Sequence, residues 1–190
     1  MISEKDLLRK AFKEKRKALS SEELNKVSLQ ISARFQEWML DHPDLNHFHI
    51  FLPIAHQNEI NTYLIKDFLL QQGKSVYTSV SSADSLEMKT VIINKYTEFE
   101  LDKWKIPIPL NPIEAKEDNI QAVLIPLLVF DEEGNRIGFG KGYYDFFLSK
   151  LNPSVLKIGL SLFDPVAHIP SEKHDIPLDY CFTGEKVFTF

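Results

Sequence analysis

The sequence predicts an α/β layered domain with a largely parallel central sheet, and three observations carry that prediction. Helix-patterned and strand-patterned segments alternate repeatedly along the chain, as crossover connections between parallel strands require. Residues 122–130 (AVLIPLLVF) form the strongest apolar run, as expected of a buried strand. The 190 residues, 44% of them hydrophobic, suit one domain over residues 1–190 with a core that needs no disulfide or metal support.

The elements follow in order. Ser3-Glu4-Lys5-Asp6 has the form of a capping box, and Leu7, Leu8, Ala11 and Phe12 then predict a short amphipathic helix. Ser20-Ser21-Glu22-Glu23 is a second start signal. After it, Leu24, Val27, Ile31, Phe35 and Trp38 mark one face of a longer helix ending near His42-Pro43. Residues 47–52 (HFHIFL) read as a strand stopped by Pro53. Leu64, Ile65, Phe68 and Leu69 form a helical stripe that Gly73 closes in a left-handed cap.

Strands are expected at 75–80 and 88–93, with a polar turn or mobile loop at 81–85 between them. Residues 94–119 carry Pro107, Pro109 and Pro112 and predict an extended, wandering segment. Pro126 predicts a bulge or an end to pairing inside the run at 122–130. A helix over 143–151, a strand over 156–160 and a strand around 180–183 complete the pattern.

A net charge of −5 argues against a dedicated nucleic-acid binder. The first seventeen residues depart from that balance, with Lys5, Arg9, Lys10, Lys13, Lys15, Arg16 and Lys17 close together. Such a cluster is either a solvated helix face or an attractor for a small polyanion such as a nucleoside triphosphate. The single cysteine, Cys181, allows no internal disulfide and fits a reducing compartment; it is expected to be buried and inert. No stretch reaches the roughly 18–20 apolar residues of a membrane span, and the first residues do not form a secretory signal. The expectation is a cytoplasmic protein with no membrane partner. Phe51, Phe130, Phe146, Phe147 and Trp104 are expected in the core; His47, His49 and His56 have no metal-like spacing, and His168 and His174 are expected at surface or turn positions, with a place near phosphates as the alternative.

The chemistry concentrates in residues 122–148. A buried strand runs into a turn, then Arg136-Ile137-Gly138-Phe139-Gly140-Lys141-Gly142, then a helix. Glycines let the backbone approach an anion closely, and their amides with the next helix N-terminus can cradle phosphate oxygens. Lys141 and Arg136 add positive charge. The pattern departs from the Walker form, because Gly142 follows the lysine, and from the dinucleotide fingerprint in its spacing. The alternative is a glycine-rich hairpin with residues 131–135 as its turn and no ligand. Asp145, in the first turn of the following helix, either complements the helix dipole or ligates Mg²⁺. Asp179 is a candidate partner for that metal or an ordinary loop carboxylate.

The run Asn135-Arg136-Ile137-Gly138-Phe139-Gly140-Lys141-Gly142-Tyr143-Tyr144-Asp145 resembles the R-L-G-x-G-x-G-Y-Y-D signature of the 5-formyltetrahydrofolate cyclo-ligase family, with Ile137 where leucine is usual. Lys5-Asp6-Leu7-Leu8-Arg9, Leu52-Pro53 with Asn58-Glu59-Ile60, and His174-Asp175 with Pro177 and Asp179 agree in order, so the likeness spans nearly the whole chain.

The resemblance implies a three-layer α/β/α fold similar to that of sugar-phosphate isomerases and coenzyme A transferases. It implies ATP- and Mg²⁺-dependent conversion of 5-formyltetrahydrofolate to 5,10-methenyltetrahydrofolate, with ADP and phosphate released. By position it assigns ATP to Lys5, Arg9, Arg136, Ile137, Gly138, Phe139, Gly140, Lys141, Gly142, Tyr143 and Tyr144. The folate falls to Leu52, Glu59, Phe139, Gly140, Lys141, Gly142 and Tyr143, and Mg²⁺ to Asp145 and Asp179. Arg136, Lys141 and Tyr143 are the expected catalytic groups. The expected partners are the two small substrates, and the expected state is a monomer.

Overall fold

A computed structural model describes residues 2–81 and 85–190. Ser3 caps α1 (Glu4–Lys17) by accepting the Asp6 amide, and Ser20 caps α2 (Ser21–Leu40) through a full capping box with Glu23. Each such cap contributes about 1 kcal/mol. The chain then enters β1 (His47–His49), α3 (Tyr63–Gln71) and β2 (Ser75–Ser81). Gly73 closes α3 at φ 71°, as the sequence requires.

β3 (Met88–Ile93) turns back antiparallel on β2. Of the expected turn at 81–85, residues 82–84 lie outside the described residues. The proline-rich stretch holds β4 (Phe99–Leu101), β5 (Pro107–Pro109) and β6 (Ile113–Glu114), so it is more regular than its composition suggests. β4 and β5 pair only with each other. The connection between them carries Trp104, which is 47% exposed, and this corrects the expectation of a core tryptophan. The segment builds a small ribbon that packs Phe99 against the core and leaves Trp104 in its exposed turn, where Asp102 Oδ1 accepts the Trp104 amide.

β7 (Ala122–Pro126) ends at Pro126, and the chain re-forms as a separate hairpin of β8 (Val129–Phe130) and β9 (Arg136–Ile137). α4 (Tyr143–Lys150), β10 (Leu156–Leu160), β11 (Tyr180–Phe182) and β12 (Val187–Thr189) follow. The main sheet runs β12-β11-β10-β7-β1-β2-β3-β6. Its centre, from β11 to β2, is parallel, while β12, β3 and β6 run antiparallel at the two sides.

Alternation along β7 shows how the layers form. Ala122 and Leu124 face the helices α2 and α3, packing with Ile31, Phe35, Ile65 and Leu69. Val123 and Ile125 face α4, packing with Phe147 and Leu148. Strict period-two alternation with both faces apolar is what a strand between two helical layers needs. A third cluster, Phe12 with Leu128, Val129, Ile137 and Ile169, fastens α1 to the β8–β9 hairpin. Phe146 points away from all three and is 37% exposed, against expectation, because α4 buries only the face bearing Phe147 and Leu148.

Candidate active site

The strand order reverses between β1 and β7. From β1 the chain winds through α3 to β2, and from β7 it proceeds the other way to β10 and β11. The carboxyl ends of two such strands leave a crevice, the usual ligand position in open α/β sheets. Leu52 and Glu59 lie beyond the end of β1, and Leu127 with the hairpin and glycine loop lies beyond β7. Helix α1 reaches the same place from outside the sheet.

The expected hairpin with residues 131–135 as its turn is present between β8 and β9, and the glycine loop follows it. Residues 131–135 form the hairpin turn, in which Asp131 Oδ1 accepts the amides of Glu133 (3.0 Å) and Asn135 (2.9 Å). The glycine loop then leaves β9 and enters α4. Gly142 is the N-cap of α4 at φ 73°, and among the described residues no side chain caps the helix. Gly140 adopts φ 96°, and a Cβ there would lie 2.9 Å from Arg9 Nε.

The proposed phosphate cations are anchored in different ways. Arg9 Nε donates to the Gly138 carbonyl at 3.1 Å, and its Nη1 pairs with Asp6. Lys5 Nζ lies 2.6 Å from Asp175 and 2.9 Å from Glu172. Partial burial opposes the Lys5 charge, but these two acceptors outweigh it and raise the pKa. Arg136 donates to the Ile176 carbonyl and to Asp145 Oδ1 at 2.8 Å; burial lowers its pKa while Asp145 opposes the shift. Lys141 is exposed at the loop tip. Ile137 is buried in the third cluster and its carbonyl accepts from Leu128, so its side chain belongs to the core. Tyr143 is partly buried at the start of α4.

Glu59 is 6% exposed, and its Oε2 accepts the Ile54 amide at 2.8 Å. Burial pushes its pKa up to about 7, against the opposing pull of that amide and of Arg16. The Tyr144 phenol is raised as well, by burial and then by the Glu59 charge, with Arg136 opposing. Electrostatics thus connect Glu59, Tyr144 and Arg136 across the crevice. Leu52, 7% exposed, forms part of the apolar floor.

The two proposed metal carboxylates have separate partners. The bonds described for Asp145 use Oδ1, from Arg136 and from the Ile176 amide at 3.3 Å. Those for Asp179 use Oδ2, from the Lys157 amide at 2.7 Å and Lys157 Nζ at 2.9 Å. Each is partly exposed with its second oxygen outside these bonds, and oxygen donors of this kind suit a hard cation. Among the described residues the set Asp131, Glu133 and His168 also brings ligand atoms within 4.8 Å of one another. Both Asp131 oxygens, however, serve the backbone and side chain of its own turn and the Ile169 amide.

Sequence reasoning missed Arg16 as a site residue. It is 4% exposed, donates to the Leu127 carbonyl, and holds its guanidinium carbon 5.5 Å from the Phe139 ring centroid. A signal was available: Leu8, Phe12 and Arg16 recur at intervals of four, which puts Arg16 on the apolar stripe of α1. Cys181 is buried with its thiol pKa raised, as expected of an inert cysteine. Among the described residues no helix is long and apolar enough to cross a membrane.

Comparison with known proteins agrees with this geometry. A 5-formyltetrahydrofolate cyclo-ligase from Mycoplasma genitalium is 27% identical over 176 residues, covering 93% of this chain and 95% of the relative. The mouse protein of that name is also 27% identical, over 90% of this chain and 89% of its own. The NMR structure of Aquifex aeolicus 5,10-methenyltetrahydrofolate synthetase superposes with a TM-score of 0.82 at 24% identity, over 97% of this chain and 92% of that one. A Mycoplasma pneumoniae synthetase structure gives 0.71 at 23% identity, over 96% and 100%. At this identity the superpositions establish the fold. With residues 1–184 matching throughout, the chain belongs to the 5-formyltetrahydrofolate cyclo-ligase family.

Proposed function

We propose that this chain converts 5-formyltetrahydrofolate to 5,10-methenyltetrahydrofolate with consumption of ATP, as a cytoplasmic monomer. The observation that carries the reading is one convergence. The glycine loop, the N-terminus of α4 and the cations of α1 meet buried Glu59 at the point where the strand order reverses. One half of that site suits phosphates and the other a planar heterocycle with N–H donors. Curated relatives spanning nearly the full chain carry the same activity in their names.

The chemical difficulty is that a formamide oxygen leaves poorly. Transfer of the γ-phosphoryl group from ATP to that oxygen breaks the bond to ADP and makes the formyl carbon electrophilic. The N10 amine then attacks the carbon and loses its proton, and the carbon–oxygen bond breaks to release phosphate. Phosphoryl transfer depends on positioning and charge stabilisation. The loop amides of residues 138–142 and the α4 N-terminus would fix the phosphates, with Arg9, Arg136 and Lys141 spreading their charge. Lys5 would join them by exchanging Glu172 and Asp175 for phosphate oxygens.

Asp145 and Asp179 are the proposed Mg²⁺ ligands, and Asp179 would trade Lys157 for the metal. The bound ion supplies charge neutralisation on the transferring group. Leu52, Phe139 and Tyr143 would line the pterin, and Glu59 would accept its ring N–H groups.

The test is direct. Purified protein with 5-formyltetrahydrofolate, ATP and Mg²⁺ should develop the near-ultraviolet absorbance of the methenyl product. Growth of the signal should need all three additions and should fall at least 100-fold in Lys141→Ala, as expected for loss of a group that stabilises transition-state charge. Absence of product from folded protein that still binds ATP would refute the folate assignment.

A further inference from the structure

Arg16 sits in the crevice wall with more hydrogen-bonding capacity than the protein uses. Its Nη2 donates to the Leu127 carbonyl, but Nε and Nη1 are buried with no acceptor among the described residues. Orphaned buried donors are rare, because each forfeits its hydration without compensation. A buried guanidinium magnifies that cost. The residue is held in this position from several directions: Asn58 Nδ2 donates to the Arg16 carbonyl at 3.1 Å, and Phe139 lies alongside the guanidinium.

The opposite charge nearby is Glu59. Each residue's ionisation favours the other's, yet they form no ion pair with each other among the described residues. Glu59 Oε2 is turned to the Ile54 amide, and Arg16 Nη2 to Leu127. A cation with spare donors and a carboxylate, near one another and not joined, form a complementary pair for a ligand edge that carries both acceptor and donor. Such an edge is present on a 2-amino-4-oxopyrimidine ring, where the amino group and ring N–H adjoin a carbonyl oxygen.

We infer that Arg16 is a substrate-positioning residue whose free Nε–H and Nη1–H donate to the pterin carbonyl oxygen while Glu59 accepts from the adjacent N–H groups. This rests on the folate reading above and adds to it a recognition group on α1. One edge read by two residues of opposite sign fixes the ring's orientation, and with it the placement of N5 and N10 relative to the phosphates. It also ties α1 to both substrates, since Arg9 on the same helix bonds the glycine loop.

The experiment is a protein–ligand double-mutant cycle on the intact chain. Binding of 5-formyltetrahydrofolate and of its 4-thioxo analogue, which replaces the oxygen by a weak acceptor and keeps the adjacent ring N–H for Glu59, is measured for wild type and Arg16→Lys, with melting curves as a folding check. Loss of the oxygen should weaken wild-type binding about 10- to 100-fold, the range for a hydrogen bond to a charged donor. In Arg16→Lys the two ligands should differ less than about 3-fold, because the coupled interaction is already gone. KM for the folate should rise in that variant with little change in KM for ATP. A purely structural Arg16 would leave the two losses additive, and that result overturns the inference. So would wild type binding both ligands equally, a measurement that needs no variant. Failure of wild type to bind either folate would overturn the folate reading itself.

Discussion

Arg136 and Asp145 join the end of β9 to the first turn of α4 across the glycine loop, with Nη2 and Oδ1 2.8 Å apart. The Arg136 side chain is 6% exposed and that of Asp145 is 29% exposed, so the pair is only partly screened by water. Removing the acid leaves a buried cation with the Ile176 carbonyl and the more distant Asp175 charge. Asp145→Ala should therefore lower unfolding stability by about 2 kcal/mol, less than a fully buried pair would lose. Urea denaturation checks this, and Arg136→Met with Asp145→Leu should recover part of the loss.

Gly140 and Gly142 both adopt positive φ, but only Gly140 is crowded. Gly142→Ala meets nothing within 4 Å among the described residues and should show backbone strain, about 1 kcal/mol. Gly140→Ala carries similar strain and in addition displaces the Arg9 guanidinium, whose Nε and Cζ lie 2.9 and 3.0 Å from the new methyl. The two variants should melt within a few degrees of each other, while ATP affinity falls further in Gly140→Ala. Equal affinities would separate Arg9 from nucleotide binding.

Two buried groups should give opposing pH dependences of stability. Glu59 has its folded pKa raised to about 7 from 4.5, so the stability it contributes is full below pH 4.5 and is lost as pH rises to about 7. His49 is fully buried against Phe147, and burial lowers its pKa to about 3 from 6.5. Its contribution is present above pH 6.5 and is lost as pH falls toward 3. Relative to wild type, Glu59→Gln should remove the decline between pH 4.5 and 7, and His49→Asn should remove part of the acid-side loss. Melting curves from pH 4 to 8 decide both. Saturating folate should flatten the Glu59 component, because ligand N–H donors favour the ionised carboxylate.

Phe35 offers a test of the core away from the site. It is fully buried, with its ring in contact range of Trp38, Phe48, Phe68 and Phe182. Phe35→Ala should cost about 3–5 kcal/mol with no change in KM for the folded fraction. A change of less than 1 kcal/mol would mean that the α2 face repacks freely.

The contrast between α1 and α2 shows what local sequence does and does not carry. In α2 the capping box and the stripe through Ile31, Phe35 and Trp38 were legible because both are local signals, and the helix starts where expected and stops at Leu40, just short of the expected end near His42-Pro43. Pro126 was legible for the same reason, since a missing N–H acts wherever the residue sits. The short β12 and the β4–β5 ribbon were not, because two- or three-residue strands have no period to read and exist through their pairing partners. The glycine loop was legible as a loop between a strand and a helix, but its neighbours were not. Arg16 was one of seven cations, and although its place on the Leu8–Phe12 stripe was readable, the packing of that stripe against the β8–β9 hairpin was not. Likewise the ion pairs of Lys5 with Glu172 and Asp175 join residues far apart in the chain, which no window on the sequence compares.

The antiparallel margins of the main sheet have a consequence for crowding. At one margin stands β12 with three residues, and at the other β6 with two. A second copy seeking to extend the sheet would find too few exposed amides and carbonyls at either side to hold a register. The longer parallel strands, which could template such growth, are enclosed between these stubs. At high concentration, self-association by strand addition should therefore have to begin with the loss of a margin strand.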